Sequence, residues 1–179
     1  MSVGYRVLPK DRAELLTRVR EAQEALVATI SATSADQLTT REAGDGWSVK
    51  DHLEHLAGGR RMVLSLLHGR PGWEGLGVEE QVYLNEDDDA VNALIWLRTR
   101  DVPLAQALAE FQETHRELLA ELTALSEKEW TRRFDPFRPG DLRPLIEGVA
   151  ANSYWHDAEH REWIIALQAR LRASSQGKR

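Results

Sequence analysis

The sequence predicts an all-α protein: a four-helix bundle with a long loop after the second helix. Three observations carry this. Apolar residues recur at helical spacing along four long stretches. No stretch alternates apolar and polar residues for long enough to form a useful strand. Gly, Pro and short polar residues cluster between the helical stretches.

The first helix starts at Asp11, after Pro9, and carries Leu15, Val19, Ala22, Leu26, Val27 and Ile30 on one face. The run SADQLTTREAGDG holds turn residues and ends it. Ser48 opens the second helix, with Asp51 three residues later in the pattern of a capping box. Val49, Leu53, Leu56, Val63, Leu64 and Leu67 form its apolar stripe, and Gly69 and Pro71 stop it. Residues 69–86 read as the long loop, with one helical turn near Val78–Tyr83, followed by a short helix over Asp87–Arg98. Pro103 suits the first turn of the third long helix, which carries Leu104, Leu108, Phe111, Leu118, Leu122 and Leu125. After the punctuation of FDPFRPGD, the last long helix is expected from about Asp141 to Arg172.

A chain of 179 residues fits one domain, 1–179, with its core over about 10–172 and a mobile tail at 173–179. No apolar run approaches the ~20 residues that span a bilayer, and the first residues lack a signal-peptide core. No membrane partner and a cytoplasmic location are therefore expected. The net charge of −6, from 23 basic and 29 acidic residues, disfavours a nucleic-acid partner. With no Cys, the chain has no disulfide, no thiolate nucleophile and no Cys-ligated zinc site.

Six His remain, and their placement is the unusual feature. On a wheel with Leu142 at zero, Leu145, Val149, Trp163, Ile164 and Leu167 cluster within ~60°; His156 falls at ~40° and His160 at zero. Asn152 and Asp157 lie near the stripe margins. On the third helix His115 falls at ~20° from Leu104, inside the stripe. His52 lies within the apolar arc of the second helix and His55 nearer one margin. A buried polar group without a partner costs about 1–3 kcal/mol. Facing imidazoles can satisfy one another through a shared metal, and a pair at i and i+4 aims two nitrogens at one point. A lone core His is more often hydrogen-bonded to a backbone carbonyl or a hydroxyl than bound to metal, and His68, near a helix C-terminus, is satisfied by the helix dipole. Arg60 and Arg61 read as a solvated helix face. The chain has no Glu-x-x-His pair, so a di-iron site of the ferritin type is not expected.

GWSVKDHLEHLAGGRRMVLSLL resembles the second-helix signature of the DinB/YfiT-like metalloenzymes, in which a His follows eight residues after a Gly-Trp-Ser/Thr start. VPLAQALAEFQETHRELLAELTALSEKEW resembles the family's third helix, and ANSYWHDAEHREWI its fourth-helix His-x-x-x-His segment. The resemblance covers about residues 10–170. It implies an up-down-down-up bundle, often a homodimer, and a divalent metal on His55, His156 and His160. Position 52 is usually apolar in the family, whereas this chain has His52, which lies closer to the stripe centre than His55 does. Trp47 fixes the family position as His55. His52, His115, Asn152, Asp157 and Trp47 are then candidate supporting or pocket residues.

Imidazole ligands suit zinc, nickel or iron alike. Relatives of this type include S-transferases and isomerases that use bacillithiol or mycothiol. The resemblance therefore implies a metal-dependent enzyme in which a small thiol attacks a small-molecule substrate. A metal-dependent hydrolase and a non-enzymatic, metal-stabilised dimeric stress or sequestering protein are the alternatives.

Overall fold

The computed structural model of the chain describes residues 7–41 and 46–176. In chain order the helices are α1 (Arg12–Ser31), α2 (Ala35–Thr39), α3 (Val49–Leu67), α4 (Gly72–Leu76), α5 (Glu80–Asn85), α6 (Asp88–Thr99), α7 (Leu104–Ala124), α8 (Leu145–Ala151) and α9 (Tyr154–Gln176). A 3₁₀ turn spans Glu129–Thr131. The described residues hold no strand, only an isolated bridge between Arg133 and Pro144. None of their helices is long and apolar enough to cross a membrane.

Local chemistry sets the helix starts. The Asp11 carboxylate accepts the backbone N–H of Glu14 at 2.8 Å and caps α1. Ser48 and Asp51 form a reciprocal capping box at α3, so Asp serves where Glu or Gln is usual. Ser34 and Gln37 form a second box and make a short helix, α2, of a stretch expected to be turn.

Side-chain pairs fix the directions of the long helices. His52 meets His160 and His55 meets His156, so α3 and α9 are antiparallel. Arg18 meets Tyr154 and Arg161 meets Thr29, so α1 and α9 are parallel. Arg61 meets Glu110 and His68 meets Glu121, so α3 and α7 are parallel. The order is up-down-down-up, and a four-helix bundle is what the sequence predicts.

Two regions differ from expectation. The long loop after α3 is largely helical: α4 spans 72–76, and α5 spans 80–85, where one helical turn is expected near Val78–Tyr83. Its helices dock closely: a Cβ on Gly75 would lie 2.3 Å from the Arg61 carbonyl oxygen, so α4 rests on the α3 backbone. The last helix is two helices. It begins after Pro144, not at Asp141, and breaks at Asn152, where the Ser153 hydroxyl bonds the Val149 carbonyl at 2.5 Å. Leu142 therefore lies outside it and is 76% exposed. α9 continues past Arg172 to Gln176, so the first part of the expected mobile tail is helical; 177–179 lie outside the described residues.

The bundle interior holds two apolar clusters with a polar layer between them. One gathers Leu15, Val19, Val63, Leu118, Leu145 and Val149; the other gathers Leu26, Leu53, Leu56, Phe111, Ile164 and Leu167. Arg60, expected on a solvated face, is only 1% exposed. Its guanidinium donates to the Phe111 carbonyl at 2.9 Å, to Gln23 at 2.9 Å and to Asp157 at 2.7 Å, and stands 4.5 Å from the Phe111 ring centre. These contacts join α3 to α7, α1 and α9 at one level. Burial raises the Asp157 carboxyl above its usual range, and the Arg60 charge offsets part of that.

Removing one partner of a buried ion pair strands the other without water. Arg60→Ala is expected to destabilise the protein by about 3–5 kcal/mol, read from urea unfolding. Arg61→Ala, which breaks a half-exposed pair with Glu110, should stay within about 1 kcal/mol of the parent.

Candidate metal centre

Helices α3 and α9 cross so that four imidazoles face one another. His52 and His55 stand one turn apart on α3, and His156 and His160 one turn apart on α9. His55 Nε2 and His156 Nε2 are 2.9 Å apart. His52 Nδ1 and His160 Nδ1 are 2.8 Å apart. The His55 and His160 rings stack with centroids 4.8 Å apart, and the His156 ring meets His160 edge-on at 4.6 Å. One nitrogen from each of His55, His156 and His160 lies within 4.8 Å of the others.

Burial keeps these rings neutral. Desolvation is the first cause in each case, followed for His55 by the crowding of the His156 and His52 imidazoles, which disfavours a second proton in the cluster, and for His156 by the Arg60 charge. It pushes His52 down to about 4, His55 to about 3 and His156 to about 4. His160 falls well below its ordinary value for the same reason. Neutral imidazole is the form that binds a metal.

The donor set fits a divalent cation. Two Nε2 atoms 2.9 Å apart cannot both be bare without a shared proton or cation between them. None of the four imidazoles hydrogen-bonds a carboxylate of a described residue, so the converging donors are all nitrogen. The Nδ1 atoms of His55 and His156 are buried without a protein partner, which leaves Nε2 as the engaged atom of each ring. His160 uses Nδ1 toward His52, which leaves its Nε2 for the centre. His55, His156 and His160 could therefore hold a zinc, nickel or iron ion, with His52 behind His160.

The other expected site residues separate clearly. Trp47 covers the cluster, with ring centroids 5.3 Å from His52, 5.1 Å from His55 and 6.3 Å from His160. Asn152 donates to the Gly148 carbonyl at 2.8 Å and lines a cavity with His55 and His156. Asp157 turns to Arg60 and does not line that cavity. His115 is half-buried on α7 and lines neither cavity that contains the histidines. Burial, then the charges of Arg60 and Arg20, push it down to about 4. Exposed His68 pairs with Glu121 at 3.2 Å, outside the cluster.

Two openings reach the cluster. A cavity of about 240 Å³ is lined by His55 and His156 and also by Met62, Ile95, Phe134, Arg138 and Arg143. A shallower one is lined by Trp47, His52, His160 and Trp163, together with the acidic Asp88, Asp89 and Glu159. Trp163, 48% exposed, stands at this mouth with its ring 4.7 Å from His160. Nothing in the local sequence pattern of Arg138, Phe134 and Met62 points to the centre.

The sequence model of the DinB superfamily matches residues 15–164. A "Putative metal-dependent hydrolase" of Geobacillus thermodenitrificans is 25% identical over 167 residues, 90% of this chain and 86% of its own length. YfiT from Bacillus subtilis, described as a probable metal-dependent hydrolase with an unusual four-helix bundle topology, is 19% identical with a TM-score of 0.62. That alignment covers 92% of this chain and 90% of YfiT. A Streptococcus pneumoniae protein of known structure is 13% identical with a TM-score of 0.72, covering 91% of this chain and 94% of its own. At these identities the two structures speak for the fold alone.

Two outcomes are expected. His52→Phe removes the partner of His160 Nδ1 and should weaken zinc binding by about 10–100-fold while keeping its stoichiometry, as read by chelator competition. The second concerns pH. The metal-free folded protein holds His52 and His156 neutral down to about 4, whereas the unfolded chain protonates them near 6.5. The unfolded state binds more protons between those values, so the contribution to stability is complete above pH 6.5 and is lost as pH falls toward 4. Unfolding midpoints measured across that range should fall with acidification and level off above it.

Proposed function

The chain belongs to the DinB superfamily, and from that premise we propose that it is a metal-dependent enzyme acting on a small molecule, with a low-molecular-weight thiol as cosubstrate. The observation that carries the reading is the convergence of His55, His156 and His160 beside a cavity that opens from the bundle. A divalent zinc, nickel or iron ion bound there supplies Lewis acidity, enough to make a thiol or a water molecule nucleophilic near neutral pH.

The residues around the centre favour the thiol. No carboxylate of a described residue is hydrogen-bonded to the cluster in the position of a general base. A small thiol, with an ordinary pKa near ~8.5, loses its proton to solvent far more readily than water does. In the transfer, the thiol sulfur forms a bond to an electrophilic carbon of the substrate. The leaving group departs with the bonding pair, and the thiol proton passes to solvent. The chain supplies no Cys, so the sulfur comes with the cosubstrate; bacillithiol and mycothiol are the candidates. The Trp47 ring shields one side of the cluster from water, and His52 holds the His160 ring in its orientation.

Hydrolysis is the second reading. It is favoured by the descriptions of the Geobacillus and Bacillus relatives, and by Asp88, which lines both openings. Thiol dependence separates the two. Protein purified without a histidine tag is assayed on a panel of electrophiles and esters, with and without added thiol. The thiol reading predicts turnover only when a thiol is present. Turnover in its absence establishes hydrolysis instead, and no turnover under either condition favours a non-enzymatic metal protein. His160→Ala is expected to lose stoichiometric metal and turnover together. Retention of the metal by that variant would show the ligand assignment to be wrong.

A further inference from the structure

The cavity beside the histidines contains a guanidinium that no carboxylate of a described residue meets at ion-pair distance, although Asp141, held by Arg143, feels its charge. Two arginines line it, and they differ. Arg143 is held by Asp141, through Nε at 3.0 Å and a terminal nitrogen at 2.6 Å, and lies over the Phe134 ring. Arg138 is half-buried, and no carboxylate of a described residue lies within ion-pair distance of it. Its guanidinium carbon stands 5.2 Å over the Tyr83 ring centre, a cation–π contact that uses the face of the group rather than its N–H donors.

The neighbouring acid is already engaged. Buried Asp135 accepts the backbone N–H groups of Phe137 at 2.9 Å and Arg138 at 3.2 Å on one oxygen. Its other oxygen accepts the Tyr83 hydroxyl at 2.5 Å. Asp135 thus positions the Arg138 backbone and the ring beneath its side chain without closing on the guanidinium. The same lining includes the apolar side chains of Met62, Val91, Ile95 and Phe134. Asp88, exposed, is the acidic residue among the cavity's lining.

We propose that this cavity takes a small carboxylate-bearing molecule, with its carboxylate on Arg138, its aliphatic part against Met62, Val91 and Ile95, and its other polar end at His55 and His156. A planar guanidinium fork matches a carboxylate in two parallel N–H···O bonds, and partial burial reduces the screening of that pair by water. The histidine end of this assignment rests on the metal-dependent reading above; the arginine end does not. Under the thiol reading, the cosubstrate or substrate is an anion, and a neutral analogue is a poor ligand.

The test uses zinc-loaded protein and ω-mercaptocarboxylates of increasing chain length, each paired with its neutral amide, titrated by calorimetry. The parent should bind the carboxylate about tenfold or more tightly than the amide at the best length. Arg138→Gln should lose that preference while keeping the unfolding midpoint and the zinc content of the parent. Equal binding of carboxylate and amide by the parent, or a preference that survives in R138Q, overturns the proposal. A parallel comparison by saturation-transfer NMR uses metal-free protein with carboxylates and amides that lack the thiol. A preference lost in R138Q there supports the arginine site even if the protein holds no zinc, in which case the metal-dependent reading alone fails.

Discussion

The bundle depends on the Arg60 guanidinium. It lies at the level where the two apolar clusters meet and bonds a group from each of the other three long helices. Apolar packing is non-directional and tolerates sliding of one helix along another. A buried guanidinium does not, because each N–H must find its acceptor or remain desolvated. Gln23, the Phe111 carbonyl and Asp157 therefore fix the register of α1, α7 and α9 against α3. Replacing such a pair by apolar residues is often neutral for stability, so its contribution here is to define one register among several.

That register places the histidines. Asp157 follows His156 directly, and Gly59 precedes Arg60; a Cβ on Gly59 would stand 3.6 Å from His156 Nδ1. Locking Asp157 to Arg60 thus sets the turn of α9 that brings His156 onto His55, and the next turn that brings His160 onto His52. The desolvation that keeps these rings neutral comes from the same close approach of α3 and α9. Structure and site chemistry share one cause: two helices held near enough that four imidazoles lose their water.

Much of this was legible in the sequence, and what was not has a physical reason. Helical periodicity gave the four long helices because each buries one face, and the spacing of His156 and His160 placed both on the buried side of α9. Ser48 with Asp51 marked the start of α3 because the capping geometry is local. Arg60 reads as solvated because arginine is usually exposed, although it falls four residues after Leu56 and seven after Leu53, inside the stripe. Its partners come from distant helices, which a single helix's pattern does not reveal. The same holds for Arg138, whose role depends on a cavity built from α3, α6 and the segment before α8. The break at Asn152 was missed because the apolar spacing continues through it. The short helix α4 is hidden in the sequence because Gly72, Gly75 and Gly77 read as loop residues, whereas Gly75 serves close packing on α3; α5 falls where the sequence offers one helical turn near Val78–Tyr83.

The central claim is that His55, His156 and His160 form one centre for a divalent ion. Zinc K-edge X-ray absorption tests it most directly, on protein purified without a histidine tag, loaded with zinc and dialysed. The account predicts one tightly held zinc per chain, with nitrogen or oxygen neighbours at about 2.0–2.1 Å and the outer-ring scattering of three imidazoles. Zinc lost on dialysis, or a retained shell without imidazole scattering, would contradict it.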